Sequence, residues 1–451
     1  MRLWAEEALL PDGWAKDVAI GVEAGRITEV TPGAPPLGPR HAMLLPAPAN
    51  AHSHAFQRAM AGLTERRGPD PADSFWTWRR LMFRFLEAIT PEQIEAITAF
   101  VQMEMAEAGF GASVEFHYLH HRPDGAPYDD LAETSARVAA AAATSGLGLT
   151  LLPVAYQFGG LDRRALAPGQ RRFGNDAERF ARLHEGAGAA LGPLPEDARL
   201  GVALHSLRAV AAEDLAPLAA LSSGPVHMHL AEQVAEVEEV EAALGARPVG
   251  WALENLPLSP DWCLIHCTQM TPEETEALAQ TGAVAGLCPL TEASLGDGIF
   301  DGVRWLGAGG ALAIGSDSNI RISLAEELRQ LETSQRLRDR SRAALATAER
   351  STGRRLFEAA VAGGARAAGR GESGLRVGAT ADLLALDMRH PDLQGLSGDT
   401  VLDSFIFAGG TDMVADLWSA GRHIVTGGRH VGREGITAAY REAVAGLRAK
   451  A

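Results

Sequence analysis

Lysine is almost absent from this chain: Lys16 and Lys450 are the only two among 41 basic residues, the rest being arginine. Cysteine is nearly as scarce. Cys263, Cys267 and Cys288 lie inside apolar runs of the last third, too few for a disulfide framework and without the second closely spaced pair that a zinc knuckle needs. They read as reduced core thiols of a cytoplasmic protein. Positive charge is outnumbered as well. Against 57 acidic residues the formal net charge is -16, which argues against a nucleic-acid partner, although a few arginines inside a pocket can still reverse the local field for an anionic substrate. The first ten residues already contain Glu6 and Glu7 and show no basic, apolar and small-residue succession of a signal peptide. No uniform membrane-length apolar run is present. The uncharged stretch from Val138 to Leu161 is alanine-rich, is broken at Thr144-Ser145-Gly146, and then turns leucine-rich, which reads as a helix feeding a buried strand.

A chain of 451 residues with 46% apolar content can build one large core and a smaller module. Residues 1–42 read as a β-meander, with Asp17–Val22 and Arg26–Val30 between turns at Pro11-Asp12-Gly13, Glu23-Ala24-Gly25 and Thr31-Pro32-Gly33. A similar texture returns at Ala381–Asp387 and His423–His430, the latter with a Gly-Gly turn. Residues 1–45 and 370–451 are therefore expected to form one small β-sandwich module built from both termini, and 46–369 a separate α/β unit. In that middle part eight buried strands are expected at 43–48, 111–117, 149–155, 200–205, 225–230, 262–266, 283–288 and 312–316, most followed by a helix. At 323–338, for example, Ser323 and Glu326 suit a capping box ahead of Leu324, Leu328 and Leu331. Eight β/α units fit a closed (β/α)8 barrel of the TIM type, whose chemistry sits at the C-terminal ends of the strands. The competing open sheet lacks a Gly-rich phosphate loop to support it.

Metal-competent side chains stand at four of those strand ends. His52-Ser-His54 follows the first, and residues two apart in an extended chain face the same way, so both imidazoles can reach one ion. His229 ends the fifth strand, with Glu232 three residues on, a spacing that suits a ligand followed by an acid that reaches substrate. His227, one layer lower, reads as a hydrogen-bonded barrel histidine. His266 ends the sixth strand and Asp317 the eighth. Each alone is ordinary; their conjunction is hard to obtain by chance.

In order and type these residues resemble the amidohydrolase superfamily, and the His-x-x-Glu at 229–232 resembles its deaminase branch, which hydrolyses amidine-like C=N centres and releases ammonia. The likeness spans nearly the whole chain; one departure is the approach Pro46-Ala-Pro-Ala-Asn-Ala, where relatives carry Pro-Gly. Two-metal members bridge their ions with a carboxylated lysine on strand four. Here that strand ends Leu204-His-Ser-Leu-Arg208 and neither lysine can occupy it, so a single ion is expected. The resemblance implies zinc held by His52, His54, His229 and Asp317, with iron or manganese also admitted by such a set. It further implies His266 and Asp317 managing the proton of the attacking water, Glu232 protonating the leaving nitrogen, and a homodimer.

Gln57, Arg79, Arg80, Tyr118, His205 and Arg208 lie near strand ends, and two arginines with a tyrosine and a histidine suit a small dicarboxylate bound through guanidinium contacts. The stretches His52–Arg58, Ser74–Arg79, Glu115–Tyr118 and His205–Arg208 resemble the N-formimino-L-glutamate deiminase family, which implies Gln57, Arg79 or Arg80, Tyr118, His205 and Arg208 as anchors for the two carboxylates. The alternatives are a deaminase or chlorohydrolase of the same branch acting on guanine or a triazine, and a catalytically dead barrel used as a scaffold.

Overall fold

The structure is a computed structural model describing residues 1–65 and 82–448. Eight parallel strands form the ring: Ala49–Ser53, Ala112–His117, Gly148–Ala155, Val202–Leu204, Val226–Leu230, Trp262–His266, Val284–Leu287 and Ala311–Ile314. Successive strands pair in register, with Val226 opposite Trp262 and Cys263 opposite Val284, for instance. An isolated parallel bridge between Ser53 and Asp317 closes the ring, with Asp317 N donating to His52 O at 2.9 Å. The seam between first and last strands thus runs through the predicted metal ligands themselves.

Helices cover the outside. The alanine-rich run becomes the helix Glu133–Ser145, ends on left-handed Gly146 and feeds the strand Gly148–Ala155. Among the described residues no helix is long and apolar enough to cross a membrane. The helix Thr352–Ala367 lies against the seam, and two glycines allow it. A Cβ on Gly363 would fall 1.8 Å from Leu312 O, and one on Gly364 would fall 2.9 Å from Ala49 O.

Strand one departs from expectation. The apolar run at 43–48 belongs to the strand Arg40–Pro46, which pairs parallel with Arg2–Leu10 and antiparallel with Leu383–Leu386 in the terminal sheet. The barrel strand is Ala49–Ser53, Ala-Asn-Ala-His-Ser, fully buried but with almost no apolar signal, because its neighbours approach too closely for large side chains. Gly315 shows how closely: a Cβ there would meet His52 Cβ at 2.7 Å. Strand four is also shorter than read, Val202–Leu204, with Arg199–Leu200 a separate pair on strand three. The capping box at Ser323 forms by half. Ser323 Oγ accepts from Glu326 N at 3.3 Å, but the Glu326 carboxylate turns to Arg321.

The terminal sheet has eight strands in one hydrogen-bonded path, running Arg26–Thr31, Gly13–Glu23, Arg2–Leu10, Arg40–Pro46, Leu383–Leu386, Val414–Ser419, Arg422–Thr426, Arg429–His430. Gly427 and Gly428, both at positive φ, make the expected tight turn. This sheet is tied to the barrel by charge: Asp197, just before strand four, accepts from Arg422 at 2.7 and 2.8 Å and from Arg370 at 3.3 Å.

Candidate active site

A cavity of about 820 Å³ opens at the C-terminal ends of the strands. His54, His229, Glu232, His266 and Asp317 line it, as do Gln57, Tyr118, His205 and Arg208 from the predicted substrate set. His52 lies just beneath, fully buried. Arg79 and Arg80 lie outside the described residues.

Three imidazoles converge. His52 Nε2 is 3.1 Å from both His54 Nε2 and His229 Nε2, and Asp317 Oδ1 stands 3.6 and 3.3 Å from the Nε2 atoms of His52 and His54. The outer nitrogens of two rings are spoken for: His54 Nδ1 donates to Phe116 O and His229 Nδ1 to His205 O, each at 3.0 Å. Those bonds place the ring protons on Nδ1 and turn the Nε2 lone pairs inward, toward one another. Burial holds all three imidazoles neutral, His54 down to about 3, and the neighbouring rings add to the shift of His52 and His229. Inward lone pairs at such separations, closed on one side by a carboxylate, match the donor set of a four-coordinate divalent ion.

The opposite wall is carboxylic. His266 Nδ1 lies 3.3 Å from Glu292 Oε1, while its Nε2 lies 3.7 Å from Glu232 Oε1 and 3.9 Å from Asp317 Oδ2. Burial lowers the basicity of His266, but Glu232, Glu292 and Asp317 outweigh it and raise its pKa to about 10 in the metal-free chain. Asp317 itself is pushed up to about 7, by burial first and by Glu232 and Glu292 in addition.

Local backbone supports both walls. Ala231, His266, Cys267, Asp317 and Asn319 all adopt positive φ without being glycine, so the turns after strands five, six and eight store strain where they aim the reactive side chains. A buried network offsets it at the seam. Asn50 Nδ2 donates to Ser316 Oγ at 2.7 Å, Ser316 Oγ to Asn319 Oδ1 at 2.6 Å, and Asn319 Nδ2 to Asp317 O at 2.9 Å. On strand two, Glu115 accepts from Ala55 N at 2.7 Å and fixes the turn after His54, burial raising its pKa to about 8. His227 is structural, bonded at 2.8 Å to Ala367 O.

Among the predicted substrate residues, Gln57 Nε2 donates to Tyr118 Oη at 3.0 Å, and Tyr118 lies edge-on to His54 with centroids 4.9 Å apart. His205 flanks His229 at 5.1 Å and Tyr156 at 4.5 Å. Sequence reasoning missed three buried acids. Glu236 accepts from Glu232 N at 2.9 Å; burial pushes its carboxyl up while the charge of Arg208 opposes. Glu292 holds His266, and Asp297 accepts from Gln233. The i, i+4 spacing of Glu232 and Glu236 was an available signal, as was a glutamate just past the apolar strand seven, to whose end no chemistry had been given.

A model described as Amidohydrolase family matches residues 43–424, and the chain belongs to that family. A second model, Formimidoylglutamate deiminase HutF, N-terminal domain, matches residues 2–39. A formimidoylglutamate deiminase of Pseudomonas aeruginosa is 47% identical over 447 residues, 97% of this chain and 97% of that protein. A crystal structure of an amidohydrolase from Brucella melitensis superposes with a TM-score of 0.96 at 50% identity, covering 99% of each chain. An adenosine deaminase from Xanthomonas campestris with bound zinc shares the fold, with a TM-score of 0.82, 22% identity and coverage of 99% of this chain and 98% of that one.

Proposed function

We propose that this chain is a hydrolase of C–N bonds that converts N-formimino-L-glutamate and water to N-formyl-L-glutamate and ammonia. The observation that carries the reading is a single cavity in which a three-imidazole, one-carboxylate metal set faces Glu232 and His266 and is ringed by Gln57, Tyr118, His205 and Arg208. The 47% identity to a formimidoylglutamate deiminase supports the choice of substrate. His52, His54, His229 and Asp317 would hold a zinc ion, which would supply the Lewis acidity that makes water a nucleophile near neutral pH. His266 orients the attacking water, and Asp317, whose Oδ2 lies 3.9 Å from His266 Nε2, accepts the proton of that water. As the water oxygen bonds to the formimino carbon, Glu232 donates a proton to the terminal nitrogen. That nitrogen then takes the proton held on Asp317 and leaves as ammonia, while the adduct hydroxyl returns its proton to Glu232 and becomes the formyl oxygen. Arg208 and one of Arg79 or Arg80 bind the two carboxylates, with Gln57, Tyr118 and His205 completing the recognition.

An aminoheterocycle such as guanine or a triazine is the second reading within the family, and two arginines that line the cavity, Arg164 and Arg208, disfavour it. We assign residues 1–45 and 370–451 to one unit and 46–369 to the barrel, in line with sheet membership, and a cytoplasmic location, in line with three unpaired buried thiols. The homodimer rests on family resemblance, and sedimentation decides it.

The test is ammonia release from N-formimino-L-glutamate by zinc-loaded protein, with the second product identified. Formylglutamate is expected. Formamide with glutamate means that the other C–N bond is cut, and no turnover sends the search to other amidines and aminoheterocycles.

A further inference from the structure

Asp317 faces two ways. Its Oδ1 points at the Nε2 atoms of His52 and His54, at 3.6 and 3.3 Å, and its Oδ2 at His266 Nε2, at 3.9 Å. Asp317 also belongs to a second group of candidate ligands, with His266 and Cys288. One ligand atom each from His266, Cys288 and Asp317 lie within 4.8 Å of one another, all three residues buried, and the trio shares only Asp317 with the proposed metal set. We propose that His266, Cys288 and Asp317 form a second, inhibitory site for a thiophilic divalent cation, with Asp317 bridging it to the first ion. The inference rests on the metal site of the proposed function.

The placement of Cys288 follows from the barrel. It directly follows strand seven, two residues after Gly286, where a Cβ would meet Ile265 Cδ1 at 2.6 Å and Cys263 Sγ at 2.9 Å. That face of the strand therefore looks into the ring, and Cys288 on the same face looks inward one step nearer the mouth. Cys263 sits deeper, and Cys267 Sγ turns to Leu264 O at 3.6 Å. Only Cys288 joins a histidine and a carboxylate.

A nitrogen, sulfur and oxygen set selects zinc or cadmium over magnesium, calcium or manganese. Three protein donors leave a fourth position to water, as in open zinc sites. His266 and Asp317 line the cavity while Cys288 is fully buried behind them, so the ion enters through the active site. On binding, the thiol of Cys288 loses its proton to solvent and the thiolate becomes a ligand. The same ion engages His266 and Asp317, the two groups assigned to the proton of the attacking water. Occupancy therefore stops turnover, whereas one equivalent of metal supports it.

The probe is cadmium added stepwise to metal-free protein. The first equivalent is expected to leave the ultraviolet thiolate-to-cadmium charge-transfer region flat, and the second to produce that band. Cys288→Ser should lose the band and the second equivalent while keeping the first. The Cys263→Ala/Cys267→Ala double variant, with Cys288 as its only thiol, should keep both and settles the matter without altering position 288. With zinc, a second equivalent should lower wild-type turnover by about 10²-fold, the scale of a lost acid–base contribution. In Cys288→Ser that ratio should shrink toward one. A band that survives Cys288→Ser, absence of a second equivalent, or equal inhibition of both proteins overturns the proposal. Misassignment of the first site reads out separately, as a first equivalent that survives His54→Ala.

Discussion

Strands one and five bring three neutral imidazoles to the barrel axis, whereas strands six to eight and the turn after strand five bring one imidazole among carboxyls. Both walls are equally buried: His54, His266, Glu232 and Asp317 are 3%, 2%, 6% and 6% exposed. Burial nevertheless has opposite outcomes. On the nitrogen wall burial prevails at His54, aided by the charges of His266 and His117 and opposed chiefly by the hydrogen bond to Phe116 O, so that it falls to about 3 and stays a lone-pair donor. On the acid wall the carboxyls reverse it, and His266 rises to about 10. Desolvation sets how strongly a neighbour is felt, and the neighbour decides the sign. One wall is thereby suited to hold a cation and the other to move protons.

The sharpest way to break this division is to remove one group from each wall. His54→Ala should abolish turnover together with bound metal, measured by metal analysis of the purified variant. Glu232→Gln should cost about 10²–10⁴-fold in turnover with metal content unchanged, the scale of a general acid. Metal lost from Glu232→Gln would show that the two walls are one coordination sphere.

Glu292 sharpens the comparison, because it is not among the cavity-lining residues or the proposed metal set; its Oε1 lies 3.3 Å from His266 Nδ1 and accepts from Cys288 N at 2.9 Å. Glu292→Gln should lower kcat by roughly 10–100-fold and leave KM near its original value, the usual cost of losing an orienting partner behind a functional histidine. A change in KM alone would place Glu292 with substrate binding. Arg208→Ala should do the reverse, raising KM by roughly tenfold, equivalent to about 1.4 kcal/mol, at little cost in kcat. An unchanged KM removes Arg208 from the dicarboxylate site.

The nitrogen wall was the more legible in sequence, and the reason is physical. His52 and His54 stand two apart and His229 ends an apolar strand, as do His266 and Asp317 of the acid wall, so each interrupts a recognisable pattern. Residues that act through others leave no such mark. Asn50 Oδ1 accepts from Ser316 N across the seam, Asn319 Nδ2 donates to Asp317 O within its own turn, and Glu292 and Glu236 cap the backbone of Cys288 and Glu232. Strand one was read six residues early for a related reason. Met43-Leu44-Leu45 carries the hydrophobic signal for the terminal sheet, while Ala49–Ser53 is built of small and polar residues because the close-packed seam admits nothing larger.

The smallest effect on chemistry is expected far from the mouth, at the joint between barrel and terminal sheet. Asp197 receives both terminal nitrogens of Arg422 and both of Arg370, and Arg370 also binds Asp382 at 2.8 Å. Burial pushes the Asp197 carboxyl up, but hydrogen bonds from Arg422 and the charges of both arginines outweigh it and hold its pKa below the usual carboxylate range. Removing the charge leaves Arg422 without its carboxylate and Arg370 with Asp382 alone, and breaking such a pair costs about 3 kcal/mol. Asp197→Asn should therefore lower the denaturant midpoint at neutral pH and leave kcat and KM unaltered. A folded-state pKa below the unfolded one gives stability that is present above the unfolded value of about 3.9 and lost as pH falls through the folded value. The gap between wild type and Asp197→Asn should accordingly be full at neutral pH and close as the solution is acidified below about pH 4. A gap that stays constant in acid would assign the joint to packing of the Arg422 and Arg370 side chains instead of charge, and so separate a structural use of buried acid from the catalytic use at the barrel mouth.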